Sequence, residues 1–328
     1  MPQPGPHNLI TDVAGITVGN ATDEKVQTGV TVLRCTNAFI TSADVRGGAP
    51  GVRETETLAP ENLVGRADAI VLTGGSVFGL AAADGVTNAL SSNDVGLRLG
   101  DKGPAIPIVP AAVLHDLSND GDKGWGDEPP YADLGKIAVN VAAEKFDLGN
   151  VGAGRGAKAG SVKGGLGSAS IILESGVTVG ALVAANPVGS VFFPDGKSFY
   201  AAPWELNDEF GGLKPTDASD DPSPFPPYSR FGIAQAGANT TIAIVATDAA
   251  LTKVENKRVA MMAHDGIARA VRPTHTPFDG DIVFSVSTEK IKIGDDERLR
   301  SMSVAMIGAA AADCLTRAIA RAVYEAAC

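Results

Sequence analysis

Short runs of branched apolar residues alternate with segments of helical spacing along most of the chain. Ala69–Thr73 (AIVLT) is continuous enough to predict a buried strand. After the turn TGGS, apolar residues at Val77, Leu80, Ala81, Val86 and Leu90 recur at helical spacing, so a strand–turn–helix unit is expected. A second helix is predicted over Leu134–Phe146, followed by a glycine-dense stretch, Gly149–Gly167, and strands near Ala169–Leu173 and Val177–Ala184. From Pro203 to Tyr228 the periodicity vanishes into Pro, Asp, Gly and Ser, which predicts a long acidic loop. The pattern resumes abruptly at GANTTIAIVATDA, a strand, and TKVENKRVAMMAHDGIARAV, a helix for which Thr252 and Glu255 form a capping box. Ile282–Ser287 is a further strand. The chain closes on the Ala-rich helix Ser301–Ala327, whose Asp313, Arg317 and Arg321 share one face, the mark of an amphipathic or packing helix and not of a membrane span.

This succession of strands and helices, with no flexible linker, predicts one large α/β domain over residues 1–328. Composition narrows the partners. The formal charge is −11, so a phosphate backbone is repelled on average and nucleic acid is not expected. The N-terminal segment MPQPGPHNLITDVAG lacks the basic start and apolar core of an export signal, so the expected location is the cytoplasm. Cys35, Cys314 and Cys328 form no close pair, which fits a reducing compartment and inert thiols.

Several segments carry candidate chemistry. Gly152–Gly156 and Gly164–Gly167 look like phosphate cradles, yet neither has dinucleotide spacing or a Walker lysine, so no cofactor is expected. His115, His264 and His275 have no metal-ligand spacing and read as hydrogen-bonded structural histidines; no metal is expected. Lys163, before Gly164-Gly165, is a lone cation on tight backbone or a solvated surface lysine. Asp279-Gly280-Asp281 puts two carboxylates on one turn, able to orient an amine or raise each other's pKa, although taken alone it reads first as a turn into the strand at Ile282. Asn239-Thr240-Thr241 lies where the long loop meets a core strand. A threonine there can attack its preceding carbonyl, convert the peptide to an ester that water opens, and so free its own α-amine. That amine, with an unperturbed pKa near ~8, can serve as base for its own hydroxyl. The bland alternative is a turn and a strand start.

The order of DVRGGAPG (Asp44–Gly51), LTGGSVFGLAAADGV (Leu72–Val86), NVGAGRGAKAGSVKGGLGSAS (Asn150–Ser170), AANPVG (Ala184–Gly189), GANTTIAIVATDA (Gly237–Ala249) and HTPFDGD (His275–Asp281) resembles one known family. These are the self-processing N-terminal-nucleophile amidohydrolases that include L-aminopeptidase/D-Ala-esterase, the β-peptidyl aminopeptidases and the endo-type 6-aminohexanoate-oligomer (nylon-oligomer) hydrolase. The resemblance implies a four-layer αββα sandwich, autocleavage between Asn239 and Thr240 into residues 1–239 and 240–328, and a homo-oligomer of the processed pairs. It also implies Thr240 as nucleophile and Asn186 as amide donor to the oxyanion. Asp279 and Asp281 match the acidic pair that holds the freed amine or a substrate ammonium, and Lys163 matches a lysine that steadies the nucleophile. Lys158 competes for that last role, because the lysine offset differs between branches. His115 stands where relatives place a pocket tyrosine. A threonine nucleophile with Asp-Gly-Asp leans toward the nylon-oligomer branch. The implied substrates are short peptides, β- or ω-amino amides, or oligoamides, with no membrane partner. The rivals are acyl transfer to an amine, of the ornithine acetyltransferase type, and an unprocessed binding protein that keeps the fold.

Overall fold

The structure, a computed structural model, describes residues 3–215, 223–230 and 239–327. Its elements in chain order are β1 (Ile16–Asp23), β2 (Thr28–Val45), β3 (Val52–Arg53), β4 (Arg66–Thr73), α1 (Ala82–Ser92), β5 (Ala111–Val113), α2 (Tyr131–Asn140), β6 (Lys158–Ala159), β7 (Val162–Lys163), β8 (Gly165–Ile172), β9 (Thr178–Asn186), β10 (Thr240–Ala249), α3 (Lys253–Ala270), β11 (Ile282–Ile291) and α4 (Glu297–Ala327).

One nine-stranded sheet runs β3-β5-β4-β2-β11-β10-β9-β8, with β1 on the free side of β2, and β6-β7 form a separate hairpin. The long strand β2 belongs to two layers. Its first half pairs with β1 and β4, its second half with β11, and the register shifts between Arg34 and Phe39. The two halves of the sheet stack face to face. Alternation along each strand then separates three cores. Ile242 and Ile244 of β10, Leu182 of β9, Phe284 of β11, Leu33 of β2 and Ile70 of β4 fill the space between the two layers. Ala243, Val245 and Val183 turn the other way, onto α3 and α4. Val30, Val32, Ala69 and Val71 face α1 and α2. The result is the four-layer αββα sandwich expected from the resemblance, its two β layers being one sheet folded over β2.

The helix expected over Leu134–Phe146 lies instead at Tyr131–Asn140. Buried Tyr131 completes its apolar face one turn earlier, and the chain leaves the helix so that Ala143 can exchange hydrogen bonds with Val18 of β1 at 2.9 and 3.0 Å. The unit after TGGS begins as a tight 3-10 turn, Ser76–Ala81, before α1. Val77, counted by spacing toward the helix core, is exposed. The expected capping box of α3 is present, with Thr252 N–H donating to Glu255 and Glu255 N–H to Thr252. β1 and β2 were not predicted: β1 is interrupted by half-buried Thr17 and Asn20, and the buried face of β2 carries Thr28, Thr31, Thr41 and Ser42 among the aliphatics.

α4 has the length and apolarity of a membrane span, but 67% of its most apolar window is buried inside the protein. The charged face picked out in the sequence is part of that packing. Arg317, fully buried, pairs with Glu209 and donates to the Ser170 carbonyl at 2.9 Å, while Asp313 pairs with Arg269 at 2.6 Å. Glu209 and buried Phe210 come from the expected acidic loop, so its described part is tied to the core, not solvated throughout. Residues 216–222 of that loop lie outside the described residues. Cys35 and Cys314 are buried and free, and burial pushes both thiols well above their ordinary range, as expected of inert cysteines. Cys328 lies outside the described residues.

Candidate active site

β9 ends and β10 begins at the same rung of the ladder, where Thr240 pairs with Asn186. Both are buried, at 2% and 1% exposure. The Thr240 hydroxyl donates to the carbonyl oxygen of Asn239, the peptide group immediately before it. The same oxygen accepts the Gly280 N–H at 3.0 Å. A hydroxyl and an amide dipole thus converge on the Asn239–Thr240 peptide bond.

The Asp-Gly-Asp turn is the second wall. Asn239 bridges Asp279 in parallel, so the turn enters β11 directly beside the start of β10. A side chain at Gly280 would bring its Cβ to 2.9 Å from the Thr240 hydroxyl and 2.7 Å from the Ala49 carbonyl, so only glycine fits. The segment Asp44–Gly51 closes over the turn with its backbone. Arg46 and Gly47 N–H groups donate to the Asp281 carbonyl at 3.0 and 3.1 Å, and Ala49 N–H donates to that of Asp279 at 2.9 Å. Both carboxylates point inward and are 1% exposed. Asp279 accepts from Val188 N–H at 3.1 Å and from the Thr276 hydroxyl at 2.6 Å; Asp281 accepts from Thr241 N–H at 2.7 Å and sits 2.8 Å from the His275 ring. Burial, reinforced by the neighbouring Asp281 charge, pushes the Asp279 carboxyl up to about 6.

Asn186 is held from two sides. Its side-chain oxygen accepts from Lys158 N–H at 2.9 Å and from Arg230 at 3.4 Å. Two donors on that oxygen fix the amide's orientation and leave its NH2 as the free donor, with only a 3.3 Å contact to the His115 carbonyl. His115 therefore reaches Asn186 through its backbone. Its half-buried ring lies 3.3 Å from Ser118, and burial draws its pKa below the usual imidazole range. Lys158 likewise touches Asn186 through its main chain. Lys163 is the cross-strand partner of Lys158 in the β6–β7 hairpin, and both line an open cavity of about 570 Å³ beside Asn186. The structure thus brings together Asn239, Thr240, Asn186, Asp279 and Asp281, and sets the two lysines on an adjoining wall.

Sequence reasoning missed Arg230 and the Asp44–Gly51 backbone cradle. Arg230 also donates to the Lys158, Asn186 and Pro187 carbonyls at 2.8, 3.2 and 3.1 Å, and although burial draws it down to about 10 it stays a cation at neutral pH. No local pattern announces an arginine that binds carbonyls far away in sequence. Two of the histidines are tied into the fold beside the turn. His264, fully buried, lies 2.9 Å from the Asp44 carbonyl and packs edge-on against His275 with centroids 4.9 Å apart. Burial holds His264 down at about 4, against 6.5 when unfolded. The unfolded chain therefore takes up a proton first, and the stability this neutral ring contributes is full above pH 6.5 and lost as pH falls to about 4. That loss amounts to roughly 3 kcal/mol. Denaturant melts at successive pH values should show it, with a flatter acid limb in His264→Gln.

A hydroxyl residue thus opens a central strand of an αββα sandwich with an amide and two carboxylates around it, an arrangement suited to amide-bond chemistry. Known proteins agree. The chain matches Peptidase family S58 over residues 8–328. It is 41% identical to a protein described as an uncharacterized aminopeptidase of Mycobacterium tuberculosis, over 97% of this chain and 94% of that one. It is 30% identical to the 6-aminohexanoate-oligomer endohydrolase of a Kocuria species, over 97% of this chain and 86% of that one. Among solved structures it is similar to a Burkholderia beta-aminopeptidase, with TM-score 0.68, 25% identity and coverage of 98% and 88% of the two chains. It shares its fold with the Ochrobactrum anthropi L-aminopeptidase D-Ala-esterase/amidase, a variant of the Ntn hydrolase fold, at TM-score 0.71, 21% identity and coverage of 99% and 88%. The chain belongs to Peptidase family S58 and is an amide-bond hydrolase.

Proposed function

We propose that the protein cleaves its own Asn239–Thr240 bond and then hydrolyses amide bonds of short peptides, β- or ω-amino amides or 6-aminohexanoate-type oligomers through an ester on Thr240. The observation that carries this reading is the Thr240 hydroxyl lying on the Asn239 carbonyl while Gly280 N–H donates to the same oxygen. Attack by Oγ1 on that carbonyl carbon forms the C–O bond, and collapse breaks the C–N bond as the nitrogen takes a proton. Gly280 N–H stabilises the oxyanion between the two events. Breaking the C–N bond frees the Thr240 amine, and water then hydrolyses the ester, releasing the Asn239 carboxylate and the Thr240 hydroxyl.

In turnover the neutral amine accepts the hydroxyl proton as Oγ1 attacks the substrate carbonyl, then delivers it to the leaving amine. The NH2 of Asn186 donates to the second oxyanion in exchange for its long contact to the His115 carbonyl. Asp279 and Asp281 hold ammonium groups, and Lys163 or Lys158 supports the nucleophile electrostatically. The processed pairs would assemble into a homo-oligomer in the cytoplasm. The names carried by the relatives, aminopeptidase and 6-aminohexanoate-oligomer endohydrolase, support the substrate range.

The test gives purified protein β-alanyl dipeptides and the linear 6-aminohexanoate dimer in one assay, and N-acetylornithine with glutamate in another. Amine release without N-acetylglutamate is expected. N-acetylglutamate would make the protein an acyltransferase, and no turnover of either set by folded protein would favour the binding-protein rival.

A further inference from the structure

The β6–β7 hairpin sets two like charges against each other. Lys158 and Lys163 are directly paired across the ladder, which places both side chains on one face, an arrangement that costs stability unless an anion lies between them. Neither ammonium has an ion-pair partner among the described residues. The hairpin cannot easily swing them apart. Gly160 in its turn has φ +56°, donates to the Pro187 carbonyl at 3.0 Å, and a Cβ there would strike the Tyr228 carbonyl at 2.1 Å. Ser161 N–H donates to that same carbonyl at 2.8 Å. Arg230, two residues on, completes the cavity wall with Ser161 and Ser229, and its Nε is buried with no hydrogen-bond partner among the described residues. Three cations on one wall are notable in a chain of net charge −11, because a concave positive patch focuses the field on an anion.

From these observations we infer that the cavity beside Asn186 is a carboxylate subsite, in which Lys158, Lys163 and Arg230 bind the free carboxylate of the substrate's leaving half. The inference rests on the amidase reading above. With Asp279 and Asp281 on the turn that enters β11 and the two lysines on the β6–β7 hairpin, the site is bipolar. It selects a short zwitterion, its ammonium end toward the aspartates and its carboxylate toward the lysines, and discriminates against chains whose carboxylate is capped or distant.

Two probes that differ only at the carboxylate isolate the effect: β-alanyl-alanine and β-alanyl-alaninamide. The free acid should be cleaved with kcat/KM about tenfold or more above the amide, as a charge-assisted contact requires. In Lys158→Met/Lys163→Met the ratio should fall to about one, and Lys158→Arg/Lys163→Arg should keep it. Whatever a lysine does for the nucleophile applies to both probes, so the ratio reads the carboxylate contact alone. Equal cleavage of the two probes by the wild type, or a ratio unchanged in the methionine variant, overturns the subsite and leaves the amidase intact. Cleavage of neither probe overturns both.

Discussion

Thr240→Ala should give one uncut polypeptide under denaturing conditions, where the wild type gives two, one ending at Asn239 and one beginning at Thr240. Intact-mass measurement on fresh preparations decides it. The variant should also lose hydrolysis of every amide by at least about 10³-fold, since both the nucleophile and the base disappear with one residue. Thr240→Ser should retain cleavage, because the hydroxyl and not the methyl sits on the Asn239 carbonyl. Thr240→Val, equal in shape, should not. The variants are expected to fold: removing the hydroxyl deletes one hydrogen bond, worth about 1 kcal/mol, and Gly280 N–H keeps its acceptor in the Asn239 carbonyl. A comparable thermal midpoint for wild type and Thr240→Ala confirms that the loss is chemical. A folded wild type that stays whole would remove the processing step, and with it the free amine on which the turnover mechanism depends.

The legible parts of this molecule are those in which one short segment carries the whole signal. β10 and α3 are of that kind, the first by its uninterrupted apolar run and the second by Thr252 and Glu255. β2 is not, since a third of what it buries is Thr or Ser and its bend between Arg34 and Phe39 serves a stacking that no local pattern encodes. The site divides in the same way. Thr240, Asn186 and the Asp279–Asp281 turn stand out as ordered motifs. Their positions were legible, although why Gly280 separates the aspartates emerged only when the Thr240 hydroxyl proved to lie where its side chain would be. Arg230 was hidden in a proline-rich loop, since its partners are backbone oxygens of residues 158, 186 and 187. The cradle Asp44–Gly51 was visible as a motif, but its work is done by N–H groups, which every residue except proline has. His115 illustrates the converse: attention falls on its ring, while its carbonyl is the atom that meets Asn186.

Asp279→Asn should lower kcat/KM by roughly 10²- to 10³-fold at neutral pH and, more tellingly, change the shape of the acid limb. In the wild type, activity falls with one power of proton concentration below about pH 8, as the Thr240 amine becomes an ammonium and ceases to be a base. Asp279 adds a second power. Its carboxyl, pushed up to about 6 by burial and by Asp281, is charged above that pH and neutral below it. Only the charged form attracts an ammonium, so slope two should set in below pH 6, and the apparent value belongs to the aspartate pair. Asparagine cannot titrate, so the variant should keep slope one down to the pH at which it unfolds. It still offers an oxygen to Val188 N–H, where Asp279 accepts at 3.1 Å, so the turn should hold its place beside Thr240. If both proteins show slope two, the second proton belongs elsewhere and the aspartate pair is structural. If both show slope one, Asp279 either stays ionised throughout or its charge is immaterial to turnover, and the amine alone governs the acid limb.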